Sequence, residues 1–134
     1  MNLRPYGAWL AAFGLLMTVG ASVAQTAQYA QVQNSDQVIL TRWALQHIMA
    51  RHWPDSPAAG AGKFQEGITE ASLRDLINEA VRSGRGRQNT HGRPGTLYEY
   101  DFRRQIGTTI DGGPATRLRV VVNNRNEVVT AFPF

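Results

Sequence analysis

The chain contains no cysteine. That excludes a disulfide framework, a thiol nucleophile and a Cys-based zinc site, so the fold must rest on an ordinary hydrophobic core. Lysine is nearly absent as well: of 14 basic residues, Lys63 is the only one that is not arginine. There is no phosphate-binding Walker loop, no dinucleotide fingerprint and no nucleophilic Ser elbow, and Gly112-Gly113 reads as a turn. A zincin-type helix is missing too. His47 and His52 are not spaced i, i+4 and no Glu lies between them, so neither a metal site nor any other cofactor is expected. No internal repeat is present.

What is present begins with a basic start at Met1–Arg4, an apolar run from Ala8 to Val19 and the small residues Ser22-Val23-Ala24. This order predicts a secretory signal peptide over 1–24, cut after Ala24. The apolar run is short for a membrane span, which needs about 20 residues. No span is therefore expected after cleavage, and the expected location is secreted or periplasmic. Residues 25–35, rich in Gln, Ala and Thr, read as a flexible leader, and 36–134 as a single domain. Removing 1–24 takes Arg4 alone from the charged residues, leaving 13 basic against 10 acidic residues, a net +3. Arginine is the better fork for phosphate and stacks on bases, which gives modest support to a nucleic-acid partner.

The periodicity predicts an α+β domain: two N-terminal helices packed on an antiparallel sheet of three to four strands. Ser35 or Asp36 caps a first helix whose apolar stripe (Val38, Ile39, Leu40, Trp43, Ala44, Leu45, Ile48, Met49) runs to about Trp53, where Pro54 stops it. Asp55–Gly62 is a loop that delivers Lys63. Thr69 caps a second helix to about Ser83, with Leu73, Leu76, Ile77, Ala80 and Val81 on one face and Gly84 as a left-handed stop. Gly84–Gly95 reads as a basic, glycine-rich linker. Strands are expected over Thr96–Arg103, Arg104–Ile110, Thr116–Val122 and Glu127–Phe132, the last two joined by the turn Asn123-Asn124-Arg125-Asn126.

The residues suited to chemistry lie on these elements. His47 and Arg51 are spaced i, i+4 and share a helix face. His52 is five residues on from His47, about 140° around the axis, so one of the two suits catalysis and the other a structural place at the core edge. Arg117 and Arg119 point to one face of their strand, with Leu118, Val120 and Val122 on the other. Two imidazoles, one ammonium and an arginine-rich sheet are a kit for cutting RNA without a metal. Histidine takes a proton near neutral pH, and Lys and Arg hold a phosphate with its developing charge. The same arginines would also suit a non-catalytic secreted module that binds a protein or an anionic partner.

Three segments together, His47-Ile48-x-x-Arg51-His52, Gly62-Lys63-Phe64 and Val128-Val129-Thr130-Ala131-Phe132-Pro133, resemble toxin ribonuclease domains of bacterial polymorphic and contact-dependent inhibition systems. The group in question has the barnase/EndoU/colicin/RelE-like fold. Thr130-Ala131-Phe132-Pro133 also looks like the Thr-x-Tyr-Pro ending of the pancreatic-ribonuclease-like toxin domains, with Phe132 in place of the Tyr and its hydroxyl therefore missing. The resemblance implies RNA cleavage to a 2′,3′-cyclic phosphate. In it His47 or His52 removes the 2′-OH proton, Lys63 with Arg119 or Arg104 stabilises the phosphorane, and Thr130 orients a phosphate oxygen. Arg51, Arg104, Arg117 and Phe132 complete the expected substrate contacts. The implied partners are RNA and a cognate immunity or inhibitor protein. Such toxins usually close a large delivery protein, whereas this chain carries its own expected signal peptide.

Overall fold

The computed structural model describes residues 37–134. The expected signal peptide, the leader and the capping residues Ser35 and Asp36 lie outside the described residues. Two helices and two antiparallel sheets make up the described chain, an α+β arrangement. None of its helices is long and apolar enough to cross a membrane.

Helix α1 spans Arg42–His52 and starts later than its apolar stripe predicts. Thr41 caps it, its hydroxyl accepting from the Ala44 amide. Val38–Leu40 lie outside the helix, because the Ile39 backbone pairs with the far end of the chain. Its N–H donates to Asn126 O at 2.8 Å, and its carbonyl accepts from Val128 N at 2.8 Å. Satisfying both backbone groups in a tertiary pairing outweighs a helical preference over three residues. The helix stops as expected: Trp53 precedes Pro54, which bars it from helical geometry, and it is extended (φ −68°, ψ 154°).

Strand β1 (Lys63–Phe64) comes next, between the helices, so the order is not simply helices and then sheet. Helix α2 (Glu70–Ser83) has the expected bounds. Thr69 and Ser72 form a reciprocal capping box, and Leu73, Leu76, Ile77 and Ala80 are buried. Gly84 closes it without a left-handed turn (φ −78°). Glycine is needed there for space, since a Cβ would meet the carbonyl oxygens of Ala80 and Glu99 at 2.3 and 2.8 Å.

The expected linker is in part a strand, β2 (Arg85–Gln88). It pairs with β3 (Thr96–Asp101), and the four-stranded sheet continues through β6 (Arg117–Val122) to β7 (Val128–Pro133) in the order β2-β3-β6-β7. The stretch expected as a further strand of this sheet contributes β4 (Gly107–Thr108) to a second one, where β4 lies between β1 and β5 (Pro114–Ala115). A Cβ on Gly107 would meet the Lys63 carbonyl oxygen at 2.0 Å, so this close pairing depends on glycine.

Helix α2 covers one face of the larger sheet by packing on β3 and β6, while α1 packs on β7. The core between them holds Leu73, Leu76 and Ile77 from α2, Leu118, Val120 and Ala131 from the sheet, and Ala44 and Ile48 from α1. Alternation along the strands sends the remaining residues to the opposite face. Register places Leu97 opposite Val121, Glu99 opposite Arg119, and Arg119 opposite Phe132. No helix of the described residues lies across that second face, and its side chains carry the site.

Candidate active site

A recess of about 430 Å³ opens on the uncovered sheet face. Its floor is Leu97, Arg119, Val121, Thr130 and Phe132. Helix α1 supplies one wall through Trp43 and His47, and the β2–β3 hairpin the other through Arg87, Asn89, His91 and Arg93. The walls touch at the rim, where the Arg93 guanidinium lies 4.4 Å from the centre of the Trp43 ring, a cation–π contact. Trp43 was an element of the expected apolar stripe, yet it is 50% exposed and its ring is nearly parallel to that of His47 (centroids 5.7 Å apart, 11°).

The floor is electrostatically set by Glu99. Its Oε1 accepts from Arg119 Nε at 2.8 Å and from Arg87 Nη2 at 3.4 Å, and it forms an ion pair with Arg119 Nη2 at 2.6 Å. One carboxylate between two guanidiniums leaves a net positive charge and fixes the Arg119 fork. All three side chains keep water contact, so the gain in stability is modest and the main effect is orientation. Arg119 also lies against the rings of Phe132 (5.6 Å) and Phe134 (4.3 Å), and Arg117 against Phe134 (4.2 Å).

The two helix histidines have different surroundings. His47 opens to the recess. Burial first, then the charges of Arg51 and Arg93, hold its pKa below the ordinary 6.5, so it is neutral and basic at pH 7. His52 is buried at 6% exposure, with Nδ1 2.8 Å from Gly62 O. A carbonyl only accepts, so Nδ1 carries the proton. The His52 ring stacks on Phe132 (5.2 Å, 19°) and meets His47 edge-on at 6.4 Å. Burial lowers its pKa most. The Gly62 bond opposes that shift, and His47, Arg51 and Lys63 add to it.

A second recess, of about 500 Å³, lies beyond the first. His47, Thr130 and Phe132 line both. Arg51 and His52 open on the second, together with the Gly60–Gly62 loop and the β4–β5 turn.

Of the expected site residues, His47, Arg119, Thr130 and Phe132 meet at the first recess, and His52 and Arg51 at the second. Arg117 stands on the same sheet face, on Phe134. Arg104 is elsewhere: Arg103 adopts a left-handed conformation (φ 55°), and the chain carries Arg104 to a separate recess beside Asp75 and Glu79 of α2. Lys63 Nζ donates to Arg51 O at 2.7 Å, Ala58 O at 2.6 Å and Ser56 Oγ at 3.2 Å, so all three ammonium hydrogens have a protein acceptor. His91, Arg93, Arg87, Glu99 and Trp43 are added by the fold. The signal for the first three was the density of arginine and the third histidine within Gly84–Gly95. Nothing in the sequence marks Glu99. Among the described residues no group of three or more His, Asp or Glu is placed to hold a metal ion. A scan against protein-family models, a search of curated proteins and a search of solved structures each find no match.

Proposed function

We propose that the protein is a secreted endoribonuclease, with toxin-like use, that cleaves RNA by metal-independent attack of the 2′-OH. The observation that carries this reading is the first recess itself. It joins two imidazoles (His47, His91), three guanidiniums (Arg87, Arg93, Arg119), a hydroxyl (Thr130) and two aromatic rings (Trp43, Phe132) on one sheet face. Guanidiniums suit phosphate, ring faces suit unpaired bases, and imidazoles suit proton transfer near neutral pH.

In this reading His47, neutral at pH 7, takes the 2′-OH proton. The 2′-oxygen bonds to phosphorus, the bond from phosphorus to the 5′-oxygen breaks, and His91 gives the leaving oxygen its proton. The products are a 2′,3′-cyclic phosphate and a free 5′-OH. Arg119, held by Glu99, and Thr130 meet the non-bridging oxygens, where charge grows in the transition state. His52 supports the floor from beneath Phe132, and Lys63 secures the loop after α1. An acidic inhibitor that covers the arginine face would fit a toxin role.

The test is incubation of the mature protein with total RNA in EDTA. Cleavage to cyclic-phosphate ends is expected, with DNA untouched. General acid–base groups contribute about 10²–10⁴-fold, so His47→Ala should remove most activity without unfolding the protein. Cleavage that survives the double change His47→Ala and His52→Ala would refute the mechanism. A folded protein that cuts no RNA would instead be a binding module for an anionic partner.

A further inference from the structure

A phosphodiester about to be cut has a nucleoside on each side. The first recess has room for one, with arginines for the phosphate. The second recess shares His47, Thr130 and Phe132 with the first and extends away from it. Those three residues therefore form a ridge with a concavity on either side, and both volumes fall in the range of about 300–1,000 Å³ typical of small-ligand sites.

We propose that the recess beyond Phe132 is a second nucleoside site, so that the substrate is a single strand crossing the His47–Thr130–Phe132 ridge, phosphate on the ridge and one nucleoside in each recess. This rests on the ribonuclease reading and adds the substrate form. Stacked neighbours in a duplex lie on one side of such a ridge. Two nucleosides on opposite sides must be unstacked, which only an unpaired strand allows at low cost.

The chemistry of the second recess fits a base and ribose more than a phosphate. Its one unpaired cation is Arg51, and most of its remaining surface is apolar: the loop Gly60–Gly62, Ile110, and the rings of Phe132 and Phe134. Ile110 is 63% exposed, the most exposed large apolar side chain of the described residues. Its turn is fixed, since Thr109 N donates to Gly113 O at 2.8 Å and Gly113 N to Thr109 Oγ1 at 3.2 Å. A hydrogen-bonded turn that brings an exposed isoleucine to a recess also lined by Phe132 and Phe134 offers apolar contact for a base. The two recesses thus divide the strand: the phosphate sits on the ridge, one base goes to the arginine side and the other to the isoleucine side.

The test uses uncleavable ligands. Calorimetric titration compares a deoxydinucleotide, two nucleosides joined by one phosphate, with a deoxynucleoside 3′-monophosphate. Stacking of one base on an aromatic group supports at least about a fivefold gain in affinity, so the dinucleotide should bind at least that much tighter. Ile110→Glu should bring the ratio of the two affinities close to one, and Ile110→Ala should lower it partway. Both substitutions lie at an exposed turn, and thermal melting confirms the fold of each. A ratio of one in the unaltered protein, or a ratio that Ile110→Glu leaves intact, overturns the second site. If RNA is cut but the ratio is one, this inference fails alone. If the ratio behaves as expected but RNA is not cut, the groove stands and the ribonuclease reading fails.

Discussion

Replacing Lys63 by Met tests why an arginine-rich chain keeps a single lysine. The ammonium is tetrahedral and has three hydrogens. It meets three convergent acceptors at 2.6, 2.7 and 3.2 Å: the carbonyls of Ala58 and Arg51 and the hydroxyl of Ser56. A planar guanidinium does not converge on three such points. Arg51 O is one of the carbonyls left without a partner at the end of a helix, so Lys63 ties the end of α1 to the following loop. A hydrogen bond from a charged donor contributes about 1.5–3 kcal/mol. The two short ones, discounted for partial exposure, suggest a loss of about 1–3 kcal/mol. For a domain of about 100 residues each kcal/mol shifts Tm by about 4–8 °C, so calorimetry of Lys63→Met should show a fall of at least about 4 °C. Lys63→Arg should recover only part of it. RNA cleavage by the folded variant should stay within about tenfold, since no hydrogen of the ammonium is left for a phosphate. An unchanged Tm with a loss of cleavage of about 100-fold would refute this and return Lys63 to the phosphorane.

Two further outcomes follow from burial. His47 and His52 both bind protons less readily in the fold than at their ordinary value of 6.5. Their contribution to stability is therefore complete above pH 6.5 and lost as pH falls from there toward the folded values. Tm should drop between pH 7.5 and 5, and the drop should shrink in His52→Asn, which keeps a donor for Gly62 O; equal midpoints at the two pH values would contradict the assignment. Leu73 is fully buried against the sheet, and Leu73→Ala should cost about 2–5 kcal/mol in urea unfolding, with no loss disproving the packing of α2.

How far the sequence can be read depends on where the deciding contacts lie. Helix α2 has its expected bounds because its cap and its apolar stripe are local, although Gly84 closes it through space shared with Glu99 and not through a left-handed turn. Helix α1 is legible only at its end, where Pro54 acts on Trp53. Its start is decided by Ile39 pairing with residues near 127, almost ninety positions away. Strand β2 has no β-branched residue, and Arg-Gly-Arg-Gln becomes a strand only because β3 offers it a partner. The site divides in the same way. His47 follows from helix phase and Arg119, Thr130 and Phe132 from strand alternation. His91, Arg93 and Arg87 reach the recess through a hairpin whose first strand is invisible locally, and Glu99 becomes notable only once the register sets it beside Arg119.

Strand β2 is an outer strand, and all four of its residues are exposed. Among the described residues its outer edge has no partner strand, which makes it a template for a strand of a second copy of the chain, the usual route to aggregation. Arg85 and Arg87 place like charges along that edge, so two copies repel when aligned edge to edge. Salt then has opposed consequences for this protein. It would weaken the polyanion binding that the proposed function requires, and it also screens the repulsion that keeps two outer strands apart. On the proposed function, a solution salty enough to release a bound strand is also one in which the protein loses protection against pairing with itself.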